Sequence, residues 1–432
     1  MLISTSLFSK IYLGLLSLSI YSYTFGVMDR MAAHYFYIGI LNTMAFLSIP
    51  FIFKDLCLKS LFNNYPVKIF GGFILFSLLS MINSINIIES LVEINQIITF
   101  FFSLIIIVFL ARSNNIDLNF LFLMIILTLI IDVGMSLANY IDIVFIKGKK
   151  FGYDEIIYIL GFYGNRNILA VTIVMRIPFV ILYSLRINKA KYYILLFSLI
   201  TLSFFTIILL SSRTAYLSLL LSLLLLVVYL LYRVIFLKKS FFLNHKPILF
   251  LFILPFFLSY YLSTQTISDS DRSNFTSRIS SIADSTDESR NIRLRYFTQA
   301  IETIAEYPIF GIGIGNWKIY SIKKDSKNIK SYIVPYNVHN DILEFTAEIG
   351  IIGGMLFFIF FIHLGLYVLN KVDFNSNDFY WDSYSILILI PFIVYITDLN
   401  LNFPSTRPEN LYLLLMYIGL VFTSKLKSDD KK

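Results

Sequence analysis

Tyr336-Asn337-Val338-His339-Asn340-Asp341 runs directly into an apolar stretch that lasts from Ile342 to about Leu369. A membrane-spanning helix needs about 20 mostly apolar residues, and this stretch supplies them. The six residues before it therefore sit at a water–lipid boundary, and they put a titratable imidazole there. The rest of the chain has the same character. Of 432 residues, 57% are hydrophobic and 14% charged, with a mean hydropathy of +0.76. A soluble domain carries roughly 25% charged residues, so this is an all-α membrane protein. Apolar windows of spanning length predict about twelve transmembrane helices, near 8–27, 34–53, 67–86, 92–111, 117–139, 167–185, 192–211, 213–237, 247–263, 342–370, 382–398 and 408–424. The least marked division is the short polar step around Ser211–Arg213.

Lys and Arg in short loops set orientation. With the N-terminus inside, the cytoplasmic short loops and tails collect 17 of them and the outer short loops 7. Both ends are thus expected in the cytoplasm, with residues 264–341 outside. The net charge of +8 is mostly this bias, and nucleic acid is not an expected partner. The first apolar run lacks a small-residue cleavage site and reads as a retained helix. The single cysteine, Cys57, excludes an internal disulfide. No period of about 20–50 residues marks a repeat array. The chain reads as one integral domain in three consecutive parts: helices over 1–263, a long loop over 264–341, and three helices with a short tail over 342–432.

The loop opens with a polar part, Thr264 to Ser289, expected to be irregular. From about Asn291 to Glu306 the pattern is helical. Leu294, Phe297, Ile301, Ile304 and Ala305 fall on one face, which could lie on a bilayer or pack over the bundle. Asp287 and Glu288 suit its positive end, and Pro308 and Gly311 stop it. Gly311-Ile312-Gly313-Ile314-Gly315-Asn316-Trp317 follows. It lacks the strand and helix of a dinucleotide fingerprint. Two readings stand: a turn where backbone approaches backbone, or amides that approach a ligand. Asp269-Ser270-Asp271 has the form of a metal-binding DxD, but within an acidic, serine-rich loop that form carries little weight. No clustered histidines suggest a metal.

Ionisable groups near bilayer depth are costly and mark function by default. Arg213 lies between two apolar runs, Arg166 and Arg176 lie before and inside one span, and Arg407 lies in another outer loop. Either of the first-span pair, Arg166 or Arg176, is expected to find Asp132 or Asp398. A guanidinium offers a planar fork for phosphate and keeps its charge. His339 is the natural general base, because its unperturbed pKa of about 6.5 suits proton abstraction near neutrality. Asp341, Glu344 and Glu348 share one helical face; each either orients the imidazole or favours the helix N-terminus.

Four segments resemble the O-antigen ligase and polymerase superfamily of bacterial envelope glycosyltransferases. Ser212-Arg213 before an apolar helix resembles its Ser-Arg-Gly element, with Thr214 in place of Gly. Arg293, Phe297 and Ala300 followed by Pro308-Ile309-Phe310-Gly311-Ile312-Gly313 resemble its Arg-x3-Trp…Pro-x-x-Gly-x-Gly block, with Phe297 for Trp. Val338-His339-Asn340-Asp341 with Glu348-Ile349-Gly350-Ile351-Ile352-Gly353 resembles its His-Asn…Glu-x-Gly-x-x-Gly signature. Gly164-Asn165-Arg166-Asn167 resembles a Gly-x-Asn-Pro-Asn loop, with Arg166 at the proline position.

The resemblance implies a GT-C type, inverting, metal-independent glycosyltransferase without cofactor, in the bacterial inner membrane with its site facing the periplasm. The implied donor is a glycan on undecaprenyl diphosphate, and the implied acceptor is lipid A–core oligosaccharide or another glycan. His339 is then the base. Arg213 binds diphosphate, and Arg293, Arg166, Asn340, Glu348 and Arg407 are further candidate substrate contacts. A ligase is favoured. A polymerase or a protein O-oligosaccharyltransferase would use the same groups, and a flippase of lipid-linked sugar is the alternative of another class.

Overall fold

The computed structural model describes residues 4–22, 29–53, 59–187, 190–236, 246–265, 288–327, 336–373 and 379–423, with Phe275 and Arg278. Among them the regular elements are helices, with no β-strand. Nine helices are long and apolar enough to cross a membrane, from Arg30–Ile52 to Ser383–Leu401. Helices also occupy the other three expected windows, but they are shorter there: Thr5–Leu18, Phe250–Thr264 and Pro408–Phe422. The protein is an all-α multi-pass membrane protein. The step at Ser211–Arg213 is a true break. One helix ends at Leu210, Ser211 takes φ 51°, and Ser212 caps the next helix by accepting from Ala215 N at 3.4 Å. The polar segment with Asp269-Ser270-Asp271 and Asp287 lies outside the described residues.

The chain forms two compact units. One comprises Met1–Asp117, Ser285–Tyr367 and Leu399–Lys432; the other comprises Leu118–Asp284 and Val368–Asp398. In the first, spans are tied by a buried polar knot. Tyr12 Oη donates to Asn42 Oδ1 (2.8 Å), and Asn42 Nδ2 donates to Thr99 O (2.8 Å) and Ser103 Oγ (3.0 Å). These groups satisfy one another inside the apolar interior, where an unsatisfied one costs several kcal/mol.

In the second unit, Arg176 is wholly buried and pairs with Asp132 (Nη1–Oδ2 2.6 Å). Tyr163 closes the triangle: its Oη donates to Asp132 Oδ2 (2.8 Å) and accepts from Arg176 Nη2 (2.7 Å). Of the two acidic partners open to this arginine, Asp132 is the one it meets. Breaking a buried pair by removing one partner costs about 3–5 kcal/mol, whereas replacing both by apolar residues is often neutral. Asp132→Asn should therefore lower the unfolding midpoint of the purified protein sharply. The double variant Asp132→Leu with Arg176→Met should recover most of the loss, as read by thermal unfolding in micelles.

Candidate active site

The long helix Asp341–Leu369 is broken inside. Gly350 has φ 81° and ψ 172°, a conformation nearly reserved for glycine. A break in a helix frees backbone donors and acceptors that must be satisfied elsewhere. Here the glycine-rich loop takes them. Ile312 N donates to Ala347 O (3.1 Å), Gly313 N to Glu348 O (2.9 Å), and Ile351 N to Pro308 O (2.9 Å). The two chains touch so closely that a Cβ on Gly350 would collide with the Ile309 carbonyl, and one on Gly311 with the Glu348 backbone.

Glu348 completes the junction. It is buried, and its two carboxylate oxygens accept from Gly315 N (Oε2, 2.9 Å) and Trp317 N (Oε1, 2.7 Å). A negative group at a helix N-terminus is favoured by the dipole and by the free amides. Trp317–Asp325 is such a helix, and its local cap residue, Asn316, makes no side-chain capping bond. The turn before Ile87–Arg112 grips the loop from its other side. Ser80 Oγ accepts from Ile314 N (3.0 Å), Ser90 Oγ donates to Ile314 O (2.6 Å), and Asn83 Nδ2 donates to Gly311 O (2.9 Å). Backbone approaching backbone is thus the observed use of the glycine run.

The helix Glu288–Glu306 starts a turn earlier than its pattern suggested, and it buries a different face. Tyr296, Gln299, Ala300 and Thr303 are buried, whereas Leu294, Ile301 and Ala305 are exposed; only Phe297 and Ile304 of the expected face are partly buried. Pairing with Trp317–Asp325 dictates the rotation. Arg295 reaches Asp325 through Nη2–Oδ2 and Nε–Oδ1, both 2.9 Å, and Gln299 Nε2 donates to Asp325 Oδ1 (2.9 Å). Tyr320 Oη donates to Glu306 (2.6 Å), and Lys324 pairs with it at 2.9 Å. Those two contacts hold the Glu306 carboxyl below the usual carboxylate range. Between the helices Ala300, Ile312, Trp317, Tyr320, Val338 and Ala347 form one core.

Val338 belongs to that core, and its amide donates to Glu344 Oε2 (2.6 Å). Glu344 Oε1 accepts from Asn337 Nδ2 (3.1 Å). On the other side Asn340 Oδ1 caps the helix by accepting from Leu343 N (3.0 Å). His339 sits between these anchors with φ 65°, an uncommon and strained conformation for a residue with a Cβ. The strain turns its half-buried side chain towards the edge of Phe403, ring centroids 5.2 Å apart. Its Nδ1 is buried and makes no hydrogen bond among the described residues. Burial first, and then the positive Arg293, push its pKa down to about 4. The imidazole is therefore neutral at pH 7, a state that can accept a proton.

Phe403 also stacks under Arg407, whose guanidinium carbon lies 4.8 Å from the ring centroid. Arg407 Nη1 donates to Met31 Sδ (2.7 Å), and Asp341 Oδ2 holds the same turn by accepting from Ser405 N (2.9 Å). The first unit thus sets His339 and Arg407 against Phe403, with Arg293 close enough to act on the imidazole. The acidic trio is spent on backbone: Asp341 on 405, Glu344 on 338 and Glu348 on 315 and 317. Glu348 is occupied as a scaffold.

In the second unit, Arg166 Nη2 donates to Tyr153 Oη (2.8 Å) and stacks on that ring at 4.5 Å. Arg278, a residue the sequence reasoning passed over, stacks on the same ring at 5.8 Å and donates Nε–H to Ser211 O (3.2 Å). Arg213 opens the helix after Ser212, whose hydroxyl lies 2.8 Å from Asn167 Oδ1. An arginine in a polar loop carries little signal, which is why Arg278 was missed. Among the described residues no three His, Cys, Asp or Glu side chains gather as a metal-ligand set.

The first unit of this multi-pass helical protein thus holds a neutral imidazole, under the field of Arg293, at the start of a span. Residues 197–358 match the family described as O-antigen ligase. The matched segment contains Arg213, Arg278, Arg293, His339, Asn340 and Glu348, and leaves out Arg166 and Arg407. No curated protein matches the chain.

Glu348→Gln tests the junction. The amide would turn one acceptor into a donor facing a backbone N–H, leaving a buried group unsatisfied at about 1–3 kcal/mol. A lowered unfolding midpoint is expected, together with new protease cleavage between residues 307 and 325. An unchanged midpoint would show that the carboxylate is dispensable.

Proposed function

We propose that this protein transfers a glycan from undecaprenyl diphosphate to lipid A–core oligosaccharide at the periplasmic face of the inner membrane. His339 takes the proton from the acceptor hydroxyl. The oxygen attacks the anomeric carbon from the side opposite the leaving group, so the configuration inverts. The bond from that carbon to the diphosphate oxygen breaks, and undecaprenyl diphosphate departs with both electrons. Arg293 and Arg407 offset its charge in the transition state, where fixed cations act most strongly. By the resemblance Arg213 is expected to bind diphosphate, and Arg166 stays a candidate substrate contact. Asn340 acts through the helix start and the placement of His339.

One observation carries this reading: a strained, neutral imidazole whose Nδ1 has no partner, beside Arg293. A structural histidine would normally satisfy its buried nitrogen. The weak basicity of the free site fits the donor's charge. A diphosphate beside Arg293 would cancel its field and raise the proton affinity of His339, so the base gains strength when the donor is bound.

His339→Asn is the sharpest variant, because asparagine tolerates φ > 0 and keeps the backbone turn while removing the base. Transfer to purified acceptor should fall at least 100-fold, within the range general bases contribute, with the unfolding midpoint unchanged. Lipid-linked donor should pile up in the periplasmic leaflet of cells. Donor trapped on the cytoplasmic leaflet would point to a flippase. Lipid-linked glycan, lipid A–core and protein offered separately distinguish polymerase, ligase and protein glycosylation. An absolute requirement for Mg²⁺ or Mn²⁺ would overturn the mechanism.

The pH dependence has a defined sign. The working form is unprotonated, so kcat/KM should hold on the acid side until the pH falls through about 4, well below the ordinary 6.5 of histidine. Arg293→Gln removes one of the two causes and should move that limb upward, while the limb of kcat should lie above that of kcat/KM.

A further inference from the structure

The helices Arg30–Ile52 and Ile87–Arg112 both qualify as membrane spans, and a cleft of about 700 Å³ runs along the seam between them. Its lining reaches from Tyr35 to Leu47 on one helix, a length of roughly 18 Å at 1.5 Å per residue. The walls are mostly aromatic and aliphatic, with Phe36, Met44 and Phe102 exposed along it and Asn42 and Asn95 among the lining. The hydroxyls of Thr43 and Thr99 bond back to Gly39 O (2.9 Å) and Asn95 O (2.8 Å) in their own helices. Gly39 opens the floor: a Cβ there would meet nothing within 4 Å.

One end of the cleft is tied to the candidate site. Tyr35 Oη donates to Thr406 O (3.2 Å), the residue before Arg407, and Arg407 itself rests on Met31 at the start of the same helix. A mostly apolar trough with a guanidinium beyond its head has the polarity of an anionic amphiphile. The missing side chain at Gly39 gives width for a chain that carries a methyl branch every fourth carbon, which a straight acyl chain does not need.

We propose that this cleft holds the isoprenoid chain of the diphosphate-linked donor, with the diphosphate towards Arg407. The assignment rests on the transferase reading above and adds where the carrier's tail lies.

Gly39→Phe puts a ring into the cleft at a position where an added Cβ meets nothing within 4 Å. With the undecaprenyl-linked donor its KM should rise about tenfold at unchanged kcat, while the KM for a donor analogue with a two-isoprene tail should not move. An equal rise for both tails would overturn the proposal. Binding is read separately in phospholipid nanodiscs with undecaprenyl diphosphate bearing a photoreactive group in its chain. Crosslinks are expected on the 35–47 and 95–102 segments, lost in Gly39→Phe. Labelling of those segments by a photoreactive phospholipid, undiminished by added undecaprenyl diphosphate, would assign the cleft to bulk lipid and sink the proposal. Carrier crosslinks at the cleft without glycan transfer to any acceptor would uphold it and overturn the transferase reading instead.

Discussion

The exchange of backbone hydrogen bonds between the break at Gly350 and the loop 308–317 is the constraint on which the candidate site depends. A broken span is tolerated only where its freed amides and carbonyls find partners. The loop supplies them, and in return the break fixes the loop. Glu348 then joins the two by taking two loop amides on one carboxylate. Everything that places His339 follows from this: the core around Trp317 and Val338, the Glu344 clasp on the Val338 amide, and the left-handed turn itself.

The same arrangement decides the electrostatics. The acidic residues near the imidazole are committed to backbone amides, and the field that reaches His339 is that of Arg293, which adds to burial and keeps the ring unprotonated. In the proposed reaction this is an asset. A protonated imidazole would attract the diphosphate as a further cation but could not take the acceptor's proton. A neutral one leaves charge compensation to the arginines, which cannot lose theirs.

Three arginines share a mode of support. Arg407 lies over Phe403, and Arg166 and Arg278 lie over Tyr153. Stacking on a ring face fixes the plane of a guanidinium. Arg176 contrasts with them. Its charge is spent on Asp132 and Tyr163 inside the bundle, and it serves the packing of spans. The position of an arginine along the chain does not separate these two uses; the surface it lies on does.

By itself the sequence determined the class of fold, because twenty-residue apolar windows and loop charges report directly on what a bilayer demands of each segment. It also marked His339, Arg213 and the glycine run, since an imidazole at a span edge and a serine–arginine step between two apolar helices are local signals. Only the tertiary structure decided what those residues touch. The nine-residue helix Trp317–Asp325 has its N-terminus capped by Glu348, 31 residues away from Trp317 in sequence, so no neighbouring residue announced it. The buried face of Glu288–Glu306 was set by Asp325 and the Trp317 core, which outweighed the helix's own apolar stripe. The bond of Tyr35 to Thr406, and with it the link between cleft and site, spans 371 positions. Periodicity and spacing carry information over a few turns of helix, and contacts between distant segments lie beyond that reach.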